Sequence, residues 1–310
     1  MRNHPVTFFL LLAFGTSWGI FAVGKWVLGI SSGLGWTITS ALFMLGPALA
    51  AVVHRRWNGQ SWPELGVVRS GIRWKWMGIA VAIAMALPPF TLFFNWLLGD
   101  VMRLGPFGHT AISKAMVLST VEAQLAVSDA APGQTETALE QLSALPLNGF
   151  AILLIALVAG ALAGCTVNFV FAMGEELGWR GTLYHFTRRW GLWKHVGFTG
   201  LVWGLWHAPL ILEGHNYPDH PVIGVGFMCL LTTALALPLA WVRYRSGCVW
   251  SAGVLHGTVN GVAGISVLFT QGTSSLAGGA TGLSAVLGLI VISALLFILD
   301  PQFRRQFSQP

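Results

Sequence analysis

The sequence predicts an all-α, polytopic membrane protein of about eight transmembrane helices, with both termini cytoplasmic. Three observations predict it. Only 9% of the residues are charged, while 55% are hydrophobic and the mean hydropathy is +0.69; a soluble domain carries about 25% charged residues. Apolar stretches long enough, or nearly so, to cross about 30 Å of hydrocarbon recur eight times. They lie near 7–29, 36–53, 75–98, 149–176, 195–212, 222–242, 248–269 and 281–299. The segments between them alternate in charge.

Taken in order, Arg2 precedes the first span and the 30–35 turn is uncharged. The segment 54–75 carries Arg55, Arg56, Arg69, Arg73 and Lys75 against the single acid Glu64. The long segment 99–148 is acidic, with Asp100, Glu122, Asp129, Glu136 and Glu140 against Arg103 and Lys114. Arg188, Arg189 and Lys194 follow, then a turn with Glu213 and Asp219, then Arg243 and Arg245, and finally Arg304 and Arg305. Counting Arg180, 14 of the 17 basic residues fall on one side, which the positive-inside rule makes cytoplasmic. The net charge of +6 is therefore a topology signal and gives no reason to expect a nucleic-acid partner. The expected location is an integral, multi-pass position in a membrane, read as a prokaryotic plasma membrane.

The whole chain, 1–310, reads as one membrane-embedded domain without internal repeats. Its 99–148 insertion lies on the outer face, and its residues 111–127 and 136–145 have the spacing of short interfacial helices. Pro132–Gly133 marks a turn between them. Cys165, Cys229 and Cys248 sit in or beside apolar spans without a CxxC pair, so they read as small core hydrophobes. The run from Val6 to Gly29 is longer than a signal-peptide core and reads as a retained first span.

Gly174–Gly181, Gly-Glu-Glu-Leu-Gly-Trp-Arg-Gly, organises the chain. Two adjacent carboxylates within an apolar run cost several kcal/mol unless paired, hydrated or protonated, and ionisable residues inside a span point to function. Glu176 and Arg180, four apart on one helix face, can form an ion pair that is purely structural. That pairing leaves Glu175 without a purpose. His207, beside the helix-bending Pro209, and His256 and Asn260, one turn apart on one face, are the other polar residues set deep in apolar stretches.

Counting from the nearest basic residue puts them level. Glu175 is 13 residues from Arg188, His207 is 13 from Lys194 and His256 is 11 from Arg245, or roughly 16–20 Å along a helix. This requires 177–187 to continue the fourth span, with Gly174, Gly178 and Gly181 expected to bend or break it. Gly160-xxx-Gly164, Gly200-xxx-Gly204 and Gly253-xxx-Gly257-xxx-Gly261 lie on the same three spans and permit close helix approach.

A carboxylate and an imidazole in a desolvated, water-reaching cavity suit general-base activation of water. His256 and the Asn260 amide supply donors for an oxyanion, and the set reads as peptide or ester hydrolysis. Glu175, His207 and His256 would equally serve as ligands of a zinc ion, without a diagnostic ligand spacing. Apart from zinc no cofactor is implied. No His is followed by Glu, which removes the HExxH metalloprotease motif. The four Asp residues lie in loops or at span ends, which removes a buried aspartyl dyad. Gly29–Gly33 matches GxSxG formally but lacks the strand-to-helix elbow. The remaining histidines (4, 54, 109, 185, 195, 215 and 220) lie in connecting or flanking regions and are assigned no catalytic role.

At these residues the chain resembles the CAAX protease and bacteriocin-processing family, intramembrane endopeptidases that include the type II CAAX prenyl endopeptidases. The family's Glu-Glu-xxx-Arg motif matches Glu175, Glu176 and Arg180. Its Phe-xxx-His matches His207 with Trp203 in place of Phe, and its His-xxx-Asn matches His256 and Asn260. The resemblance covers the motif region 149–262. It implies an α-helical endopeptidase with a cytoplasm-facing cavity, in which Glu175 and His207 activate water and His256 and Asn260 form the oxyanion site. Glu176, Arg180 and Trp203 support them. The implied partners are membrane lipid and a membrane-associated or lipidated peptide. Two other classes use the same residues: a non-proteolytic immunity or scaffold protein of the same fold, and a proton-coupled transporter.

Overall fold

The computed structural model describes residues 4–68, 72–126 and 134–306. Arg2, Arg69, Asp129 and the turn expected at Pro132–Gly133 lie outside them. The described chain is nearly all helical, as its composition requires: backbone that meets lipid must satisfy its hydrogen bonds within itself. Its helices are α1 (Pro5–Ala22), α2 (Gly33–Met44), α3 (Gly46–Asn58), α4 (Trp74–Met85), α5 (Leu87–Asn95), α6 (Lys114–Ala126), α7 (Gln134–Ala144), α8 (Gly149–Cys165) and α9 (Val167–Glu176). They continue with α10 (Tyr184–Thr187), α11 (Leu192–Trp206), α12 (Ala208–Leu212), α13 (Pro221–Ser246), α14 (Val249–Val262), α15 (Leu283–Leu299) and α16 (Pro301–Gln306).

Among the described residues, five helical segments are long and apolar enough to cross a membrane: Pro5–Val27, Gly33–Asn58, Trp74–Val101, Pro221–Ser246 and Val249–Phe269. A sixth is the bent pair Gly149–Cys165 and Val167–Trp190, if taken as one span. Of the other two expected spans, one is the 17-residue α15. The other is divided at His207, where α11 ends and Pro209 enters the first turn of α12.

The fourth span breaks elsewhere than its glycines suggest. A 52° bend falls between α8 and α9, at Thr166, whose hydroxyl donates back to the Leu162 carbonyl (2.7 Å). Residues Leu177–Leu183 widen into a π-helix and stay in the helical rod. The glycines serve packing instead: a Cβ at Gly174 would lie 2.9 Å from the Met44 carbonyl oxygen, and one at Gly178 2.5 Å from Pro47.

The small-residue faces bring the motif helices together. A Cβ at Gly160 would stand 2.6 Å from the Gly261 carbonyl oxygen, and one at Gly257 2.5 Å from that of Gly164. Antiparallel α8–α9 and α14 therefore touch backbone to backbone. Gly204 meets α13 at Cys229 in the same way, with 2.5 Å to its Cα. The 99–148 insertion carries two helices, α6 and α7, where short helices are expected. It is joined to the segment after α14 by a two-residue antiparallel ladder, His109–Thr110 with Thr270–Gln271. Phe269, Ile265 and Val262 pack with Val117 and Leu92 beneath it.

Candidate active site

The site begins with two buried carboxylates treated differently. Glu175 is 1% and Glu176 0% exposed. On Glu176, Oε1 accepts from Arg180 Nη1 (2.9 Å) and also from His256 Nδ1 (3.0 Å). The π-helical turn keeps Arg180 within reach one turn on, and the guanidinium lies over the Trp203 ring at 4.4 Å. Such a pair offsets part of its desolvation by its hydrogen bonds. Glu175 Oε2 accepts instead from the Trp203 indole N–H (2.7 Å).

Trp203 is the hub. Its indole N–H holds Glu175, its main-chain carbonyl lies 2.8 Å from His207 Nδ1, and its ring meets His256 edge-on at 5.1 Å. Since a carbonyl only accepts, His207 Nδ1 carries the hydrogen, and in the neutral ring the lone pair is on Nε2. The same reasoning at Glu176 puts a hydrogen on His256 Nδ1, so the His256 Nε2 edge is the one left for a ligand. Trp206 packs against His207 at 4.7 Å and fixes its ring.

Five of the seven expected residues, Glu175, Trp203, His207, His256 and Asn260, line one cavity of about 460 Å³. Glu176 and Arg180 stand behind its wall and hold His256 and Trp203. Three residues that sequence reasoning passed over also line it: Asn168, Trp206 and His215. Asn168 on α9 follows Thr166 two residues past the bend, and nothing in its local pattern marks it. His215 belongs to the turn after α12, and only the folding back of that turn brings it to the cavity.

Several of the cavity's lining residues are exposed. They are His215, Asn216, Asn260 and Gly264, joined by Thr281. These sit at the ends of α12, α14 and the segment before α15, opposite the ends that carry Lys194 and Arg245. On the basic side of Glu175 stand Trp179, edge-on to Phe9 (5.7 Å) and Trp206 (5.8 Å), and the buried Leu183.

The donor set does not fit a metal ion. Among the described residues no three of His, Cys, Asp and Glu converge closely enough to hold one.

Residues 150–262 match the family model described as type II CAAX prenyl endopeptidase Rce1-like. The segment so matched contains all seven of the expected site residues. This part of the chain is similar to the CAAX protease family. That family is one of intramembrane proteases, and the several long apolar helices of this chain are those of a multi-pass membrane protein. No curated protein matches the sequence.

Proposed function

We propose that the chain is a glutamate-type intramembrane endopeptidase acting on a membrane-associated or lipidated peptide, without a metal. The observation that carries it is that the Glu175 carboxylate and the ring of His207, whose Nε2 lone pair is free, face one cavity and are tied to the same tryptophan. In this reading Glu175, with His207 as its partner, takes a proton from water. The hydroxide adds to the scissile carbonyl, and the oxyanion is met by the Asn260 amide and by His256 as the imidazolium, whose Nδ1–H stays on Glu176 while its Nε2–H donates to the oxyanion. Glu175 then passes its proton to the leaving nitrogen as the C–N bond breaks. Glu176 and Arg180 hold His256 in place from behind.

The proposal includes eight spans, with 99–148 outside and both termini in the cytoplasm of a prokaryotic cell, since that arrangement puts 14 of the 17 basic residues inside. α15 and the α11–α12 pair, short or divided as they are, then cross within the bundle. Mass spectrometry of products from a panel of prenylated and unmodified peptides tests the activity. New termini at one internal bond support it, and an intact panel that a related protease cleaves in the same vesicles would reject it.

A further inference from the structure

We infer that the groove between α1 and α11 binds one anionic glycerophospholipid from the leaflet at the arginine-rich end of the bundle. Arg189 and His4 meet the phosphate, and an acyl chain lies along Leu11, Phe14 and Val202. The inference does not depend on the endopeptidase reading.

The groove exists because α1 packs on α3 and stands off from α11. His54 on α3 reaches the Pro5 carbonyl (3.0 Å), and Gly46 lets α3 close on Ser17. On its other side α1 turns Leu10, Leu11, Phe14 and Trp18 to a cavity of about 860 Å³, whose far wall includes Phe186, Phe198 and Val202. Leu11 and Trp18 are exposed there.

The length of the groove is that of one leaflet. The helix rises about 18 Å from Val6 to Trp18, against about 15 Å for half the hydrocarbon core. At the deep end the Trp18 indole N–H donates to the Trp206 carbonyl (3.0 Å) and ties α1 to the end of α11. A transmembrane partner helix needs a groove across the whole core, about 30 Å; a lipid needs half of it.

The chemistry changes along that length in the order a phospholipid requires. The deep part is aliphatic and aromatic, with Phe14 packed on Trp18 at 5.2 Å. Arg189, His4 and Trp190 stand exposed at the mouth. Arg189 is the sole Lys, Arg, Asp or Glu lining the groove, and among the described residues no carboxylate pairs with it. Its planar guanidinium can grip a phosphate through two parallel N–H bonds, and Trp190 supplies an interfacial ring. Basic pockets between transmembrane helices select anionic head groups in this way. A zwitterionic lipid brings an ammonium group for which the lining has no acid.

Native mass spectrometry of the full-length protein, delipidated in detergent and titrated with phosphatidylglycerol or phosphatidylcholine of the same acyl chains, tests the site. Wild type should hold one phosphatidylglycerol about tenfold or more tighter than phosphatidylcholine, the difference one hydrogen bond to a charged group makes. Arg189→Gln should bring phosphatidylglycerol down to the phosphatidylcholine value. A Cβ at Gly15 meets nothing within 4 Å, so Gly15→Leu fills the groove without a backbone clash and should weaken both lipids. Circular dichroism checks the fold of each variant, and the exposed Arg189 keeps the test open where Gly15→Leu lowers stability. Equal affinity of wild type for the two lipids, tight phosphatidylglycerol binding that survives Arg189→Gln, or binding unchanged in folded Gly15→Leu would each overturn the inference.

Discussion

Replacing Trp203 by Phe isolates one hydrogen bond at the centre of the site. Phe is the residue that the family motif carries at this position, so the change is small in shape and keeps a ring beneath Arg180 and beside His256. What it removes is the indole N–H that donates to Glu175 Oε2 at 2.7 Å. A hydrogen bond to an ionised group contributes about 1.5–3 kcal/mol, and each 1.4 kcal/mol is about a factor of ten. If that bond holds the carboxylate where it meets water, kcat should fall by about 10- to 150-fold while KM stays near its wild-type value. The assay is steady-state cleavage of a peptide found in the substrate panel, in detergent or nanodiscs, with thermal unfolding in parallel. The loss should vanish in a Glu175→Gln background, because the positioned group is then already disabled. Unchanged kcat in Trp203→Phe, or an equal further loss in the Glu175→Gln background, would refute the positioning role.

Three further outcomes follow from the same geometry. Arg180→Met leaves Glu176 buried with His256 as its remaining partner and should lower stability by about 3–5 kcal/mol; adding Glu176→Gln should recover much of it, and a double variant no more stable than the single would count against the ion pair. Gly257→Leu places side-chain atoms where a Cβ is already 2.5 Å from the Gly164 carbonyl oxygen, so α8 and α14 must separate, with about 1–3 kcal/mol lost as overpacking; unchanged melting would show that the contact yields freely. Extended dialysis against a strong chelator should leave peptide cleavage intact. A loss restored by stoichiometric zinc would replace the glutamate-type mechanism with a metal-assisted one.

Much of the helical bundle was legible because lipid leaves the backbone few choices: a low-charge chain must be helical, and apolar length marks the helices. Glu175, Glu176, Arg180, His207, His256 and Asn260 were legible too, since buried ionisable groups stand out against leucine and valine. The mate of each carboxylate was only half legible. Glu176–Arg180 follows from the i,i+4 spacing, whereas the bond from Trp203 to Glu175 depends on how α11 is turned about its axis, which helical periodicity does not fix. The bend at Thr166 was missed because a Thr hydroxyl bonding back to its own helix looks unremarkable beside three glycines, and those glycines face Met44 and Pro47 across tight contacts. His215 was missed for a related reason. Charge counts report which loops share a side of the bundle, but where the interior is hollow depends on where Trp179, Trp206 and Phe9 fill it.

The most direct measurement is product formation by Glu175→Gln and wild type on the same membrane-anchored peptide, followed by mass spectrometry over a full time course. A general base contributes about 10²–10⁴ in rate, so cleavage at the wild-type bond should drop by that factor in a variant whose helicity and melting temperature are preserved. Wild-type turnover in the folded Glu175→Gln protein would contradict the account, because nothing else lining the cavity is an acid.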